Sequence, residues 1–229
     1  MTYTVIARCP ETRRLGVAIA TRAPAVGNRC PVVRPRRGAA SVQLIADPRQ
    51  TALAARLLDL GYGAAKVVTE LQQSDVNIHR RQIGVVDAYG HAAAFSGPTE
   101  SGFSGHLLGD GFVAMGNAVV SEAVVGDMAR AMDGSRGELL SERLISAIEA
   151  GTAAGGQAEG QFSGAILVYG DEPFAELDLR VDYHENAVTE LRRIYDWYAP
   201  LVPYFLKRAY DPFIAREDHW RDAQPADTA

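Results

Sequence analysis

The second residue of the chain is threonine, in the opening MTYTVIARCPETRRLGVAIATRAPAVG. Threonine is small enough for methionine aminopeptidase to expose it, and a leading threonine carries two reactive groups on one residue. Its hydroxyl is a nucleophile. Its α-amine, with an ordinary pKa of about 7.7–8.0, is partly neutral at physiological pH and can take the hydroxyl proton without a helper histidine. Such a residue can open an amide by acyl transfer, provided that a donor meets the developing oxyanion and the strand end is held still.

Other chemistry-bearing patterns point away from cofactors. GYGAAK at 61–66 lacks phosphate-loop spacing and reads as a helix stop, and GVAIATRAP has no dinucleotide fingerprint. His79, His91, His106, His184 and His219 are scattered, and Cys9 and Cys30 have no ligand partners nearby, so no metal site and no cofactor are expected. Asp178, Arg180, Asp182 and His184 share one face at period two. Of a titrating pocket wall and a self-paired ladder on a solvated edge, the second is the expectation. The cluster Arg34, Arg36 and Arg37 reads as a solvated loop.

The elements that must position these residues follow from alternation and punctuation. Strands are predicted at 2–8 and 15–20, joined by the turn PETRR, and at 38–46. Helices are predicted at 48–60, stopping at Gly61, and at 64–73. RQIGVVDA and HAAAFSG form a hairpin turning at Tyr89-Gly90, and the glycine-rich passage 97–117 holds two short strands with exposed backbone. Helices at 119–132 and 138–153 follow. In the second, Leu139, Leu140, Leu144, Ile145 and Ile148 make an apolar stripe. A last strand pair, 163–170 and 174–181, precedes a helix at 187–198. Adjacent hairpins make antiparallel sheets, and amphipathic helix pairs must cover them. The economical packing is an α+β fold of two central sheets with helices on both outsides, one domain over 1–198. The aromatic, proline-bearing arm 199–229 packs on the body or on a second subunit, and its last eight residues are expected to be disordered.

With 229 residues the chain can bury roughly 70% of its unfolded surface and needs no staple. A share of 47% apolar and 22% charged residues is ordinary for a globular protein. A net charge of −5 offers no case for nucleic acid or an anionic membrane as partner. No apolar run reaches spanning length, and no basic segment followed by an apolar one marks export. The expected setting is cytoplasmic, with both thiols reduced.

The segments ARCPETRRLGVAIATRAPAVG, SVQLIADPR, RQIGVVDAYG, SGH, GDGFVAMGN and DLRVDYH recur in order over about residues 2–195, and they resemble the DUF1028 family. The resemblance implies an N-terminal nucleophile (Ntn) hydrolase fold, a four-layer α/β/β/α sandwich whose nucleophile sits at the tip of the first strand. Thr2 is then the implied nucleophile. Asn117, or a backbone N–H near Gly116, is the implied oxyanion donor, and Thr21, Arg22, Gln43 and His106 are implied substrate contacts. Arg22 stands where the family often has lysine; it keeps the charge but cannot act as a base. Gln157, Glu159, Phe162 and Phe95 also depart from the family pattern, which implies a shifted substrate or a lost activity. The leading expectation is hydrolysis of a small-molecule amide or other non-peptide C–N bond. The alternative is an inactive Ntn-fold binding or assembly protein, with a proteasome-like peptidase a third option. A homodimer that buries the arm's aromatics across subunits is expected.

Overall fold

In the computed structural model, which describes residues 1–223, the first strand β1 (Thr2–Arg8) divides its side chains cleanly. Tyr3, Val5 and Ala7 enter a core under helices, while Ile6 enters a core between two sheets. Strand β2 (Leu15–Thr21) returns antiparallel beside it, with Thr2 opposite Thr21. After a 3-10 turn come β3 (Pro31–Arg34) and β4 (Gly38–Leu44).

Helix α1 (Pro48–Asp59) begins at Asp47, whose carboxylate accepts from the Arg49 N–H at 3.0 Å, and proline occupies its first turn. Helix α2 (Ala64–Ser74) follows, then β5 (Arg81–Asp87), β6 (Ala92–Ser96), β7 (Phe103–Gly109) and β8 (Phe112–Val119). Helices α3 (Ala123–Gly134) and α4 (Leu140–Ala153) precede β9 (Ser163–Tyr169), β10 (Leu177–Val181) and α5 (Ala187–Tyr198).

One sheet has the order β10-β9-β2-β1-β8-β7 and the other β3-β4-β5-β6, with every pairing antiparallel. Helices α3, α4 and α5 share a core with the larger sheet, and α1 and α2 share one with the smaller. Ile6, Val17, Val33, Val86, Val113 and Met115 fill the space between the sheets. The result is the four-layer α/β/β/α sandwich. Gly84 sets how closely the sheets approach: a Cβ there would lie 2.9 Å from both Ile6 Cδ1 and Met115 Sδ.

Several local expectations need adjustment. Arg34 lies on a strand, β3, pairing with β4 and forming a 3.1 Å ion pair with Asp59. Strands β7 and β8 are seven and eight residues long, and β8 is almost wholly buried because it lies inside the larger sheet. β10 is that sheet's edge, and Asp178 and Arg180 are exposed while Leu177, Leu179 and Val181 are buried. Both cysteines are buried free thiols, and burial pushes the Cys30 thiol up to about 11. The arm forms α6 (Val202–Arg208) and α7 (Glu217–Ala223). Leu201 and Tyr204 are buried in the chain itself, whereas Phe213 is 93% exposed. The polar end from 224 onward lies outside the described residues.

Candidate active site

Strand alternation turns Thr2, Thr21 and Asn117 to the same face as Thr4, Ile19 and Met115, the face between the sheets. Thr2 lies in the ladder between Thr21 on β2 and Asn117 on β8. It is 5% exposed. Its hydroxyl is 3.0 Å from that of Thr21 and donates to the Met1 carbonyl at 2.6 Å. The Thr21 hydroxyl donates to the same carbonyl. Below the tip, the Tyr3 hydroxyl meets Thr152 of α4 at 2.6 Å and anchors β1 from the helix side.

A chain of buried amides runs beside this tip. Thr4 Oγ1 donates to Gln43 Oε1 at 2.6 Å, with Ser41 also donating at 3.3 Å. Gln43 Nε2 and Asn117 Nδ2 both donate to Gln82 Oε1, at 2.8 and 2.9 Å. Gln82 Nε2 faces Ser96 Oγ, the Gly105 carbonyl and the Gly116 carbonyl at 2.8, 3.1 and 2.8 Å. Ser96 Oγ lies 2.9 Å from His106 Nδ1. A hydroxyl both donates and accepts, so Ser96 can bond Nδ1 in either tautomer of the ring. Burial lowers the His106 pKa, which favours the neutral ring.

The loop after α4 roofs the tip. The Gly156 carbonyl accepts from Val120 beyond β8, and the Phe162 N–H donates to the Thr21 carbonyl on β2, so the loop passes over β1 between them. The Arg22 guanidinium pairs with Glu159 of this roof at 2.5 Å, and Phe162 stacks on Tyr183. The α-amine of Met1 is held below its usual range, first by burial and then by the Arg22 charge.

A cleft of about 370 Å³ opens beside the tip, lined by Leu44, Ile45, His79, Arg80, Ala118 and the 98–101 loop. Thr2 is not among its walls. Leu44 and Ala118 both adopt left-handed backbone, at φ 77° and 50°. Ala118 is the extra residue of a bulge, because β7 pairs Phe103 with Val119 and Ser104 with Asn117. No cluster of metal ligands occurs among the described residues.

The fold thus gathers Thr2, Thr21 and Asn117 at one strand tip, and joins Asn117, Gln43 and His106 through Gln82 and Ser96. Arg22 sits apart, paired outward with Glu159. Thr4, Ser41, Gln82 and Ser96 were not anticipated from the sequence. The available signal was Gln43 in SVQLIA and Gln82 in RQIGVV, lone amides in apolar strands that prove to be direct cross-strand partners.

Comparison with known proteins places the chain in a family. The model of DUF1028, a family of unknown function, matches residues 2–191. The chain belongs to DUF1028. The crystal structure of the DUF1028 protein SPO2555 from Silicibacter pomeroyi is similar at a TM-score of 0.79 and 27% identity, covering 86% of this chain and 88% of that one. Anbu, the ancestral beta-subunit, from Yersinia bercovieri is a distant likeness, with a TM-score of 0.44 and 13% identity over 89% of this chain and 96% of that one. A Gly-1 mutant of Anbu from Hyphomicrobium sp. strain MC1 also has a TM-score of 0.44, at 10% identity over 95% and 100% of the two chains. No curated protein matches this DUF1028 member. No helix among its described residues is long and apolar enough to cross a membrane.

Proposed function

We propose that this DUF1028 protein is an N-terminal nucleophile hydrolase of a small-molecule amide or other non-peptide C–N bond, with Thr2 as nucleophile once Met1 is removed. One observation carries the reading: the Thr2 and Thr21 hydroxyls both close on the Met1 carbonyl in a buried polar recess at the tip of β1. Removing Met1 frees both hydroxyls, creates an α-amine on Thr2, and empties the space of one half-buried residue.

In this mechanism the neutral amine takes the Thr2 hydroxyl proton as Oγ1 attacks the substrate carbonyl carbon. The proton then passes to the departing nitrogen, the C–N bond breaks, and an ester to Thr2 remains. Water, deprotonated by the same amine, opens the ester and restores the hydroxyl. In this reading Thr21, or a backbone N–H near Gly116, meets the oxyanion, whereas Asn117 turns its amide nitrogen to Gln82. The adjoining cleft of about 370 Å³ has the volume of a small-molecule site. Arg22, Gln43 and His106 serve as substrate contacts or as supports of those contacts in the same reading. We also propose a cytoplasmic homodimer in which the exposed part of the arm meets a second copy.

A second reading, an inactive Ntn-fold binding protein, is favoured by a different observation. Thr2 is roofed by the 154–162 loop, and Arg22 is neutralised by Glu159. Intact-mass measurement and a panel of amides and ureides separate the two. The hydrolase reading expects Met1 to be absent, turnover on at least one compound, and loss of that turnover in Thr2→Ala. Met1 retained in every molecule, or turnover unchanged in Thr2→Ala, would overturn it.

A further inference from the structure

The buried amides have only one consistent orientation, and it reaches the start of the chain. The Gly105 and Gly116 carbonyls can only accept, so the end of Gln82 that lies 3.1 and 2.8 Å from them is its nitrogen. Gln82 Oε1 therefore faces the other way and must receive hydrogens. Gln43 and Asn117 both supply them from their amide nitrogens, at 2.8 and 2.9 Å. Asn117 has then committed its nitrogen to Gln82 and turns Oδ1 elsewhere. That oxygen is fully buried and has no hydrogen-bond partner among the described residues. Buried acceptors are seldom left unfilled. Asn117 stands directly across the ladder from Thr2, on the same face.

We propose that Asn117 is a positioning residue whose Oδ1 accepts a hydrogen bond from the α-amine that Thr2 gains on loss of Met1. The purpose of this contact rests on the hydrolase reading above; its test does not. While Met1 is present, the nitrogen of Thr2 is a peptide N–H. A free amine has more hydrogens and turns about the N–Cα bond. One hydrogen given to Asn117 leaves the lone pair to receive the proton of Oγ1, and the ammonium that results keeps the same acceptor. The role is opposite in sign to oxyanion donation, because Asn117 offers an oxygen here and not an N–H. The charged and titratable groups around the chain start are Arg22 at the end of β2, Cys30 before β3 and Glu159 on the roof. Gln157 Oε1 is also buried without a donor among the described residues, but it sits on the roof loop and not in the ladder with Thr2.

The test uses the full chain with threonine leading, prepared by cleavage of an N-terminal tag and checked by mass, with 13C,15N-labelled threonine and asparagine. The Thr2 13Cα shift is followed against pH by NMR. In Asn117→Ala, loss of an acceptor for the charged form should lower the amine's midpoint by about half to one pH unit. An unchanged or raised midpoint in the folded variant overturns the proposal. Should Asn117→Ala not fold, the unmutated protein decides: the Asn117 13Cγ shift should titrate with the midpoint of the Thr2 amine, and a flat 13Cγ overturns the proposal. A midpoint that shifts in a protein without turnover removes the hydrolase reading and leaves this contact standing. Turnover together with an unmoved midpoint does the reverse.

Discussion

The hydroxyls of Thr2 and Thr21 lie 3.0 Å apart at neighbouring strand ends, and both turn to the carbonyl of Met1. Each hydroxyl has one hydrogen, so the Met1 carbonyl can occupy both at once. Thr21→Val keeps the shape of the side chain and removes only the hydroxyl. It should lower turnover by about 10²-fold if Thr21 meets the oxyanion. Stability should fall by only about 1 kcal/mol. Steady-state kinetics beside urea denaturation separates the two effects.

Gln82 is the hub of the amide chain, so its loss should be structural before it is chemical. Gln82→Leu leaves the Gln43 and Asn117 nitrogens and the Gly105 and Gly116 carbonyls short of partners in a buried layer. With each orphaned group costing about 1–3 kcal/mol, a loss of at least about 3 kcal/mol is expected. Urea midpoints give the value directly, and a loss under about 1 kcal/mol would mean that the chain is not held by this residue.

His106 gives the molecule an acid sensitivity of known sign. Burial lowers its folded pKa below the ordinary 6.5, so the unfolded chain binds the proton more readily. Stability from this source is complete above the unfolded pKa and is lost as pH falls through the folded one. His106→Gln should flatten the fall in urea midpoint between about pH 7 and pH 5.

Arg22 and Glu159 form an exposed pair that touches electrostatics more than stability. Either removal should change unfolding free energy by no more than about 1 kcal/mol. Their effects on the Met1 amine should be opposite, because Arg22 lowers its pKa and Glu159 raises it. Arg22→Gln is expected to move that amine up and Glu159→Gln to move it down, read by NMR titration of Met1 in the chain that keeps it.

The arm offers a test of assembly. Phe213 is almost fully exposed, while Leu201 and Tyr204 are buried in their own chain. Phe213→Asp should leave thermal stability unchanged and reduce the mass seen by light scattering from dimer to monomer. A monomer before substitution would remove the dimer.

The sheets and helices were legible because their signals are local. Alternation in TYTVIAR and LGVAIAT places β1 and β2, and Asp47-Pro48 with Gly61 brackets α1. Strand β3 was missed because four residues, PVVR, lie beside an arginine cluster and carry no period of their own. The placement of Thr2 at the tip of the first strand was legible from its position, and Asn117 enters only through family resemblance. The joining role of Gln82 was not legible, because its signal as a lone amide does not say which way it faces. A lone polar residue in an apolar strand reads as a solvent-facing position until a second sheet is laid over it. The Arg22–Glu159 pair crosses from the end of β2 to the roof loop, a distance along the chain that no local pattern reports.

Leu44 and Ala118 stand on either wall of one cleft, each just past an amide of the buried chain and each in a conformation that disfavours a Cβ. Left-handed geometry costs a non-glycine residue about 1–2 kcal/mol. The molecule therefore bears a permanent conformational penalty on both banks of the same channel. A selection for heat resistance alone should favour glycine or asparagine at Ala118 early, and the channel's outline would soften as the melting temperature rose.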